Sequence, residues 1–155
     1  MDNCDPILTP VDERLKLTRE GSGELVNSKD FKGLVGCLRY LTATRPDIVY
    51  AFGLVSRFME EPRQSHLQAA KRILRYVRGP TSLGILYNVS EDPKLVGFTD
   101  SYWAGDTEGR NITSGYGFQL GTGFFSWSSN KQQVVALSTT ENGYIDATNC
   151  ATQAV

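Results

Sequence analysis

Two acidic residues have the type and setting for chemistry. Asp100 ends the run Val96-Gly97-Phe98-Thr99 and opens the polar stretch Ser101-Tyr102-Trp103-Ala104-Gly105-Asp106. A carboxylate at the end of an apolar strand is held rigidly while it faces solvent. Metal-dependent phosphoryl chemistry needs that placement, because a hard divalent cation takes oxygen ligands. Glu141 follows Ser138-Thr139-Thr140, whose hydroxyls suit the start of a helix. From the first turn of that helix a glutamate can swing over the strand end, so that Asp100 and Glu141 share a metal. The plain alternative is a strand closing in a polar turn, with Asp100 accepting backbone N–H bonds as an Asx cap. Spacing alone leaves both open.

The second candidate is basic. Lys71, Arg75 and Arg78 recur at steps of four and three, with Arg72 beside them. On a helix this is one face, and no acidic residue four positions away neutralises it. It reads equally as a stripe that tracks phosphates or as a solvated basic face.

The elements that must position these groups follow from composition and period. A chain of 155 residues makes one domain or two small ones. The net charge of -1 hides an asymmetry. Residues 1–27 carry three basic and six acidic groups, residues 28–80 ten and four, and residues 81–155 three and seven. Cys4, Cys37 and Cys150 are far apart and His66 is the single histidine, so a zinc site is excluded and reduced thiols are expected. The acidic start Met1-Asp2-Asn3-Cys4-Asp5-Pro6 is no signal peptide, and no apolar run is long enough to span a membrane. The expectation is an intracellular protein, cytoplasmic or nuclear, that is not secreted. Asn88-Val89-Ser90 and Asn111-Ile112-Thr113 match the glycosylation pattern by coincidence under that expectation.

Residues 1–27 lack periodicity and read as an extended or flexible lead-in, broken by Pro6, Pro10 and Gly21-Ser22-Gly23. Residues 28–87 read as a helical region. Phe31, Leu34, Leu38 and Leu41 form one apolar stripe after Asn27-Ser28, and Ile48, Phe52, Val55 and Met59 form a second after Pro46. Ser65 and Gln68 fit a capping box for a third helix, whose buried face is Leu67, Ala70, Ile73, Leu74 and Val77. Leu83 to Tyr87 is a strand or connector. Residues 94–155 then change period. Lys94 to Thr99 is a strand apolar on both faces, as a central strand is. Thr113 to Leu120 is a second, Gly121-Thr122-Gly123 a tight hairpin and Phe124 to Ser128 its return. Gln132 to Leu137 continues that strand, straight or bent, and Glu141 to Ala154 is a helix weakened by Asn142-Gly143.

Several stretches, in unbroken order from about residue 12 to the end, resemble copia-type LTR retrotransposon polyproteins. Leu34 through Ile48 (LVGCLRYLTATRPDI) resembles the segment just past the polymerase palm, and His66 through Tyr76 (HLQAAKRILRY) the helix after it. Phe98-Thr99-Asp100, Trp103-Ala104-Gly105-Asp106, Thr113-Ser114-Gly115-Tyr116, Ser126-Trp127-Ser128-Ser129 and Ser138-Thr139-Thr140-Glu141 resemble the start of its ribonuclease H domain. The resemblance implies thumb and connection helices that grip a duplex, then a ribonuclease H fold. That family cleaves the RNA strand of RNA–DNA hybrids with two magnesium ions held by carboxylates. Metal-activated water attacks phosphorus and the second ion stabilises the leaving oxygen. Asp100 matches the bridging first carboxylate and Glu141 the second.

The departures from the family pattern are equally specific. Tyr102 stands where the family usually has a second Asp, and Arg110-Asn111-Ile112 replaces its usual basic-serine run before Thr113. Asn142, Gly143 and Asp146 replace Ala, Glu and Ala around Glu141. The strand bearing the third carboxylate, and the fourth carboxylate, lie beyond Val155 in the family's order. Asp146 is no substitute, since five residues on from Glu141 is about 140° around a helix axis. Asp106 and Glu108 sit on a loop that spacing does not tie to a metal. The polymerase's paired-Asp motif is missing, so polymerisation by this segment is excluded.

The expected fold class is therefore α+β: an N-terminal helical segment followed by a partial ribonuclease H-like fold, an antiparallel meander plus a truncated helix. The expected function is a retrotransposon-derived fragment. It binds an RNA–DNA hybrid or other nucleic acid through Lys71, Arg72, Arg75 and Arg78. Its Asp100/Glu141 site is degenerate, holding magnesium weakly at most and supporting no efficient hydrolysis, because this ion demands near-ideal octahedral geometry. One alternative is a host-adopted protein-interaction module that pairs with a copy of itself or a partner through the open strand 95–99. Another is a magnesium-dependent hybrid ribonuclease completed by a partner's carboxylates.

Overall fold

A computed structural model describes residues 5–12, 15–79, 84–89, 92–102, 113–132, 136 and 138–154. The chain divides into two compact units, Met1–Leu83 and Gly84–Val155. Helices and one antiparallel sheet make the fold class α+β.

The first unit is helical. Its helices are α1 (Ser28–Leu41), α2 (Val49–Val55) and α3 (Gln64–Arg78), with single 3-10 turns at Pro46–Ile48 and Ser56–Phe58 flanking α2. The Asn27 side chain starts α1 by accepting the Lys29 N–H at 2.9 Å. Phe31, Val35 and Leu38 of α1 close on Ile48, Ala51 and Val55 and on Ala69, Ala70 and Ile73 of α3, forming one buried core. Val35 takes the central place expected of Leu34, which lies at the core's margin with Leu41. Ala51 replaces Phe52 in the same way. Met59, expected to close the second stripe, is exposed. The 3-10 turn advances each residue by about 120°, and that carries the stripe off the core. Ala69 joins Ala70 and Ile73 in the buried face of α3, while Leu67, Leu74 and Val77 stay at its margin.

The capping box predicted from Ser65 and Gln68 is not the one that forms. α3 begins at Gln64, and His66 Nδ1 accepts the Arg63 N–H at 3.0 Å. Ser65 Oγ instead accepts the Ser22 N–H at 3.0 Å. Further backbone bonds run from Val26 N–H to Pro62 O at 2.8 Å and from Gln64 N–H to Glu24 O at 3.0 Å. Among the described residues the segment before α1 has no helix, but it is bonded along the entry of α3, and Val11 and Leu17 pack on the core. Gly21 turns this segment with a φ of 52°, where a Cβ would lie 3.0 Å from both Ser65 Oγ and His66 Cε1.

The second unit is a three-stranded meander with one helix. β1 (Leu95–Tyr102), β2 (Thr113–Leu120) and β3 (Gly123–Lys131) lie in the order β1-β2-β3, and α4 spans Thr139–Gln153. The β2–β3 turn is the predicted hairpin, with Leu120 opposite Gly123 and Gly121 at a φ of 60°. A left-handed residue there matches the twist of the flanking strands. β3 runs past Ser128 to Lys131, and Gln132 lies outside it. The rest of the predicted continuation, residues 133–135 and 137, lies outside the described residues. Residues 84–89 form a connector without regular structure, and Leu83 lies outside the described set. Ser138 Oγ caps α4 by accepting the Glu141 N–H at 3.1 Å.

The sequence reads β1 as apolar on both faces, like a central strand, yet open along residues 95–99 in this chain. Among the described residues it pairs with β2 alone, and Leu95, Val96 and Phe98 stay 53%, 42% and 48% exposed. Among the described residues this apolar strand lies at the edge of the sheet. Among the described residues no helix is long and apolar enough to cross a membrane.

Candidate nucleic-acid interface and acidic site

The position of Asp100 follows from Gly97. A Cβ on Gly97 would lie 3.1 Å from Phe118 Cε1 and 3.3 Å from Cys150 Sγ, so position 97 faces α4. Side chains alternate along a strand. Asp100, three residues further, therefore projects to the opposite face, together with Phe98, whose ring centroid lies 5.5 Å from that of Phe124. Asp100 is exposed and stands opposite Gly115 of β2. Glu141 is exposed in the first turn of α4. Among the described residues no group of three or more His, Cys, Asp or Glu side chains is close enough to hold a metal ion. Asp106 and Glu108 lie outside the described residues, as do Trp103 to Ile112 as a whole.

α4 meets the sheet through Asn142, Asp146 and Cys150, spaced by one turn each. Asp146, which the helix angle removes from the Glu141 site, is 3% exposed, and Asn142 and Gln132 are 1% and 7% exposed. Gln132 Nε2 donates to Asn142 Oδ1 and to Asp146 Oδ1, both at 2.7 Å. Among the described residues Gln132 Oε1, Asn142 Nδ2 and Asp146 Oδ2 are buried without a hydrogen-bond partner. A buried polar group left without a bond keeps its desolvation penalty. The signal for this cluster was the i, i+4 pair Asn142 and Asp146 in a helix with few apolar residues.

The basic face of α3 is built as the spacing predicted, but it is not bare. Lys71 and Arg78 are exposed. Arg72 Nη2 donates to Thr9 Oγ1 at 3.0 Å, and Arg72 Nη1 lies 3.7 Å from the Asp12 carboxylate. Arg75 donates through Nε and Nη2 to the backbone carbonyl of Asp5 at 3.2 and 3.1 Å. The N-terminal segment thus supplies one acidic neighbour that the helix itself lacks, Asp12, and a backbone acceptor at Asp5. Beside this face Tyr76 Oη donates to Asp47 Oδ2 at 2.8 Å, and Arg45 forks onto the same carboxylate at 2.7 and 2.9 Å. Bonding from Arg45 holds the Asp47 carboxyl below its ordinary range, and bonding to Asp47 pushes the Tyr76 phenol up.

His66 is a structural residue that spacing did not single out. It is fully buried, stacked 4.0 Å from the Phe58 ring at an interplanar angle of 6°. With Nδ1 accepting from Arg63, Nε2 carries the proton and donates to the Thr18 carbonyl at 2.9 Å. Burial lowers its pKa and keeps it neutral.

The chain is 43% identical over 155 residues to the retrovirus-related Pol polyprotein from transposon TNT 1-94 of Nicotiana tabacum, an alignment covering 96% of this chain. It is 39% identical over 153 residues to the corresponding polyprotein from transposon RE1 of Arabidopsis thaliana, covering 99%. The chain belongs to the copia-type retrotransposon Pol polyproteins. As a copia-type segment it spans 12% and 10% of those two relatives. It is also 44% identical over 122 residues to the secreted RxLR effector protein 161 of Plasmopara viticola, covering 86% of that protein. No protein-family model and no solved structure matches the segment.

Proposed function

We propose that this copia-type segment is a connection and ribonuclease H-like piece that holds nucleic acid without cutting it. The observation that carries the binding half is the face of α3, where Lys71, Arg75 and Arg78 line one side of a helix whose opposite side is core. Such a row suits the phosphates of a duplex, which supply most of the affinity of sequence-independent binding. An RNA–DNA hybrid is the substrate class that the family membership favours.

Two features support a silent acidic site. Asp100 projects from the sheet face opposite α4, whereas Glu141 is carried by α4 itself. Carboxylates so placed suit weak, solvated magnesium binding at most, and no hydrolytic step is derived from them. The test is binding and cleavage measured together on one labelled RNA–DNA hybrid with magnesium present. Salt-dependent retention of an uncut hybrid, weakened by Lys71→Glu with Arg75→Glu, is the expected result. Cleavage by the purified chain that Asp100→Asn abolishes would refute the silent site.

A second reading, an interaction module, is favoured by the open edge of β1 and by the near-equal length of the effector relative. Leu95, Val96 and Phe98 are exposed along an edge strand whose 95–99 stretch carries no charge, the kind that recruits another strand. Salt-insensitive association with itself or one protein partner, lost on Val96→Lys, would favour it over duplex binding.

A further inference from the structure

Resting on the duplex-binding reading above, we infer that residues 5–12 act as an internal competitor for the nucleic-acid face of α3. This segment runs beside the C-terminal half of the helix. Asp5 occupies two N–H groups of Arg75, and Thr9 with Asp12 occupies Arg72. Pro6 closes on the end of the helix, where a Cβ on Gly79 would lie 3.2 Å from Pro6 Cβ. The segment offers α3 what a duplex backbone offers: oxygen acceptors on a strand that carries negative charge at Asp5 and Asp12. A guanidinium that already bonds a carbonyl and faces a carboxylate has fewer donors and less field left for phosphate. Arg72 shows the cost most plainly, since its Nε is buried there without a hydrogen-bond partner among the described residues. Duplex phosphates and residues 5–12 therefore compete for the same two side chains, while Lys71, exposed on the same helix, makes first contact.

The contacts on Arg72 come from side chains, so they are removable without shortening the chain. Thr9→Val removes the hydroxyl acceptor and leaves the net charge unchanged. Asp12→Asn removes the ion pair, and Glu60→Gln, an exposed site in the same unit, controls for the single charge gained. With a hybrid duplex of about two helical turns, Thr9→Val with Asp12→Asn is expected to tighten binding roughly threefold to tenfold. The salt slope should steepen by about one phosphate contact. Glu60→Gln is expected to change affinity less than about twofold. Adding hybrid to the wild-type chain should also speed amide exchange across residues 5–12, as they are displaced. If the double variant matches Glu60→Gln while Lys71→Glu with Arg75→Glu still weakens binding, the competitor is refuted and the duplex-binding face stands. If neither the wild-type chain nor the double variant binds, both are refuted.

Discussion

Gly97 leaves just enough room for Cys150: a Cβ there would sit 3.3 Å from the sulfur and 3.1 Å from the Phe118 ring. This close approach seats α4 on the sheet and fixes which face Asp100 takes. Gly97→Val adds three carbons to that gap, so it is expected to destabilise the second unit by about 1–3 kcal/mol. Urea denaturation followed at the tryptophans would measure it. An unchanged midpoint would show that α4 does not pack where this structure has it.

His66 makes the first unit sensitive to acid. Burial lowers its folded pKa below the unfolded value of about 6.5, so the unfolded chain binds the proton more readily. The stability that neutral His66 contributes is fully present above that value. It is lost as pH falls from about 6.5 through the folded pKa. His66→Ala would leave the Arg63 N–H and Thr18 carbonyl without their partner and open a cavity beside Phe58, costing about 2–4 kcal/mol at neutral pH. Thermal melts between pH 5 and 7.5 should show a falling midpoint in the parent that is missing in the variant.

The polar cluster under α4 should respond asymmetrically. Gln132→Leu alone removes the one donor shared by Asn142 and Asp146, leaving a buried carboxylate without a bond, and should cost about 1–3 kcal/mol. Gln132→Leu combined with Asn142→Ala and Asp146→Leu removes the bare groups together and should match or exceed the parent. Chemical denaturation of the three chains checks the ordering. A triple variant less stable than Gln132→Leu would mean that the cluster is satisfied in solution.

Much of this architecture was legible in the residues, and the exceptions have physical causes. Asn27, Gly121 and Ser138 announce two helix starts and the hairpin because caps and turns depend on local chemistry. The apolar stripes located α1 and the helix after Pro46, yet Val35 and Ala51 took the places expected of Leu34 and Phe52. Helix period sets a stripe, but the neighbouring helices decide its centre. The cap of α3 was misassigned because His66 replaces the usual Glu or Gln at the third helical position, and because Ser65 is drawn to Ser22. Contacts to Ser22, Thr18, Thr9 and Asp5 are long in sequence, so no period reveals them. The face that Asp100 takes is set by parity from Gly97, whose closeness to Cys150 no period along the chain reveals.

The acidic site should be indifferent to its own loss. Asp100→Asn and Glu141→Gln are expected to leave hybrid cleavage at background and to leave stability within about 0.5 kcal/mol, since both side chains are exposed. Incubation of labelled hybrid with each chain, with and without magnesium, checks this. Magnesium-dependent products from the parent that either variant abolishes would show a working site.

The central claim is that α3 carries a nucleic-acid face, and a salt titration of hybrid binding tests it most directly. The account predicts that log affinity falls linearly with log salt for the parent chain. It also predicts that Lys71→Glu with Arg75→Glu weakens binding at least about tenfold at low salt and flattens the slope by about two phosphate contacts. Affinity and slope unchanged by that double charge reversal would contradict it.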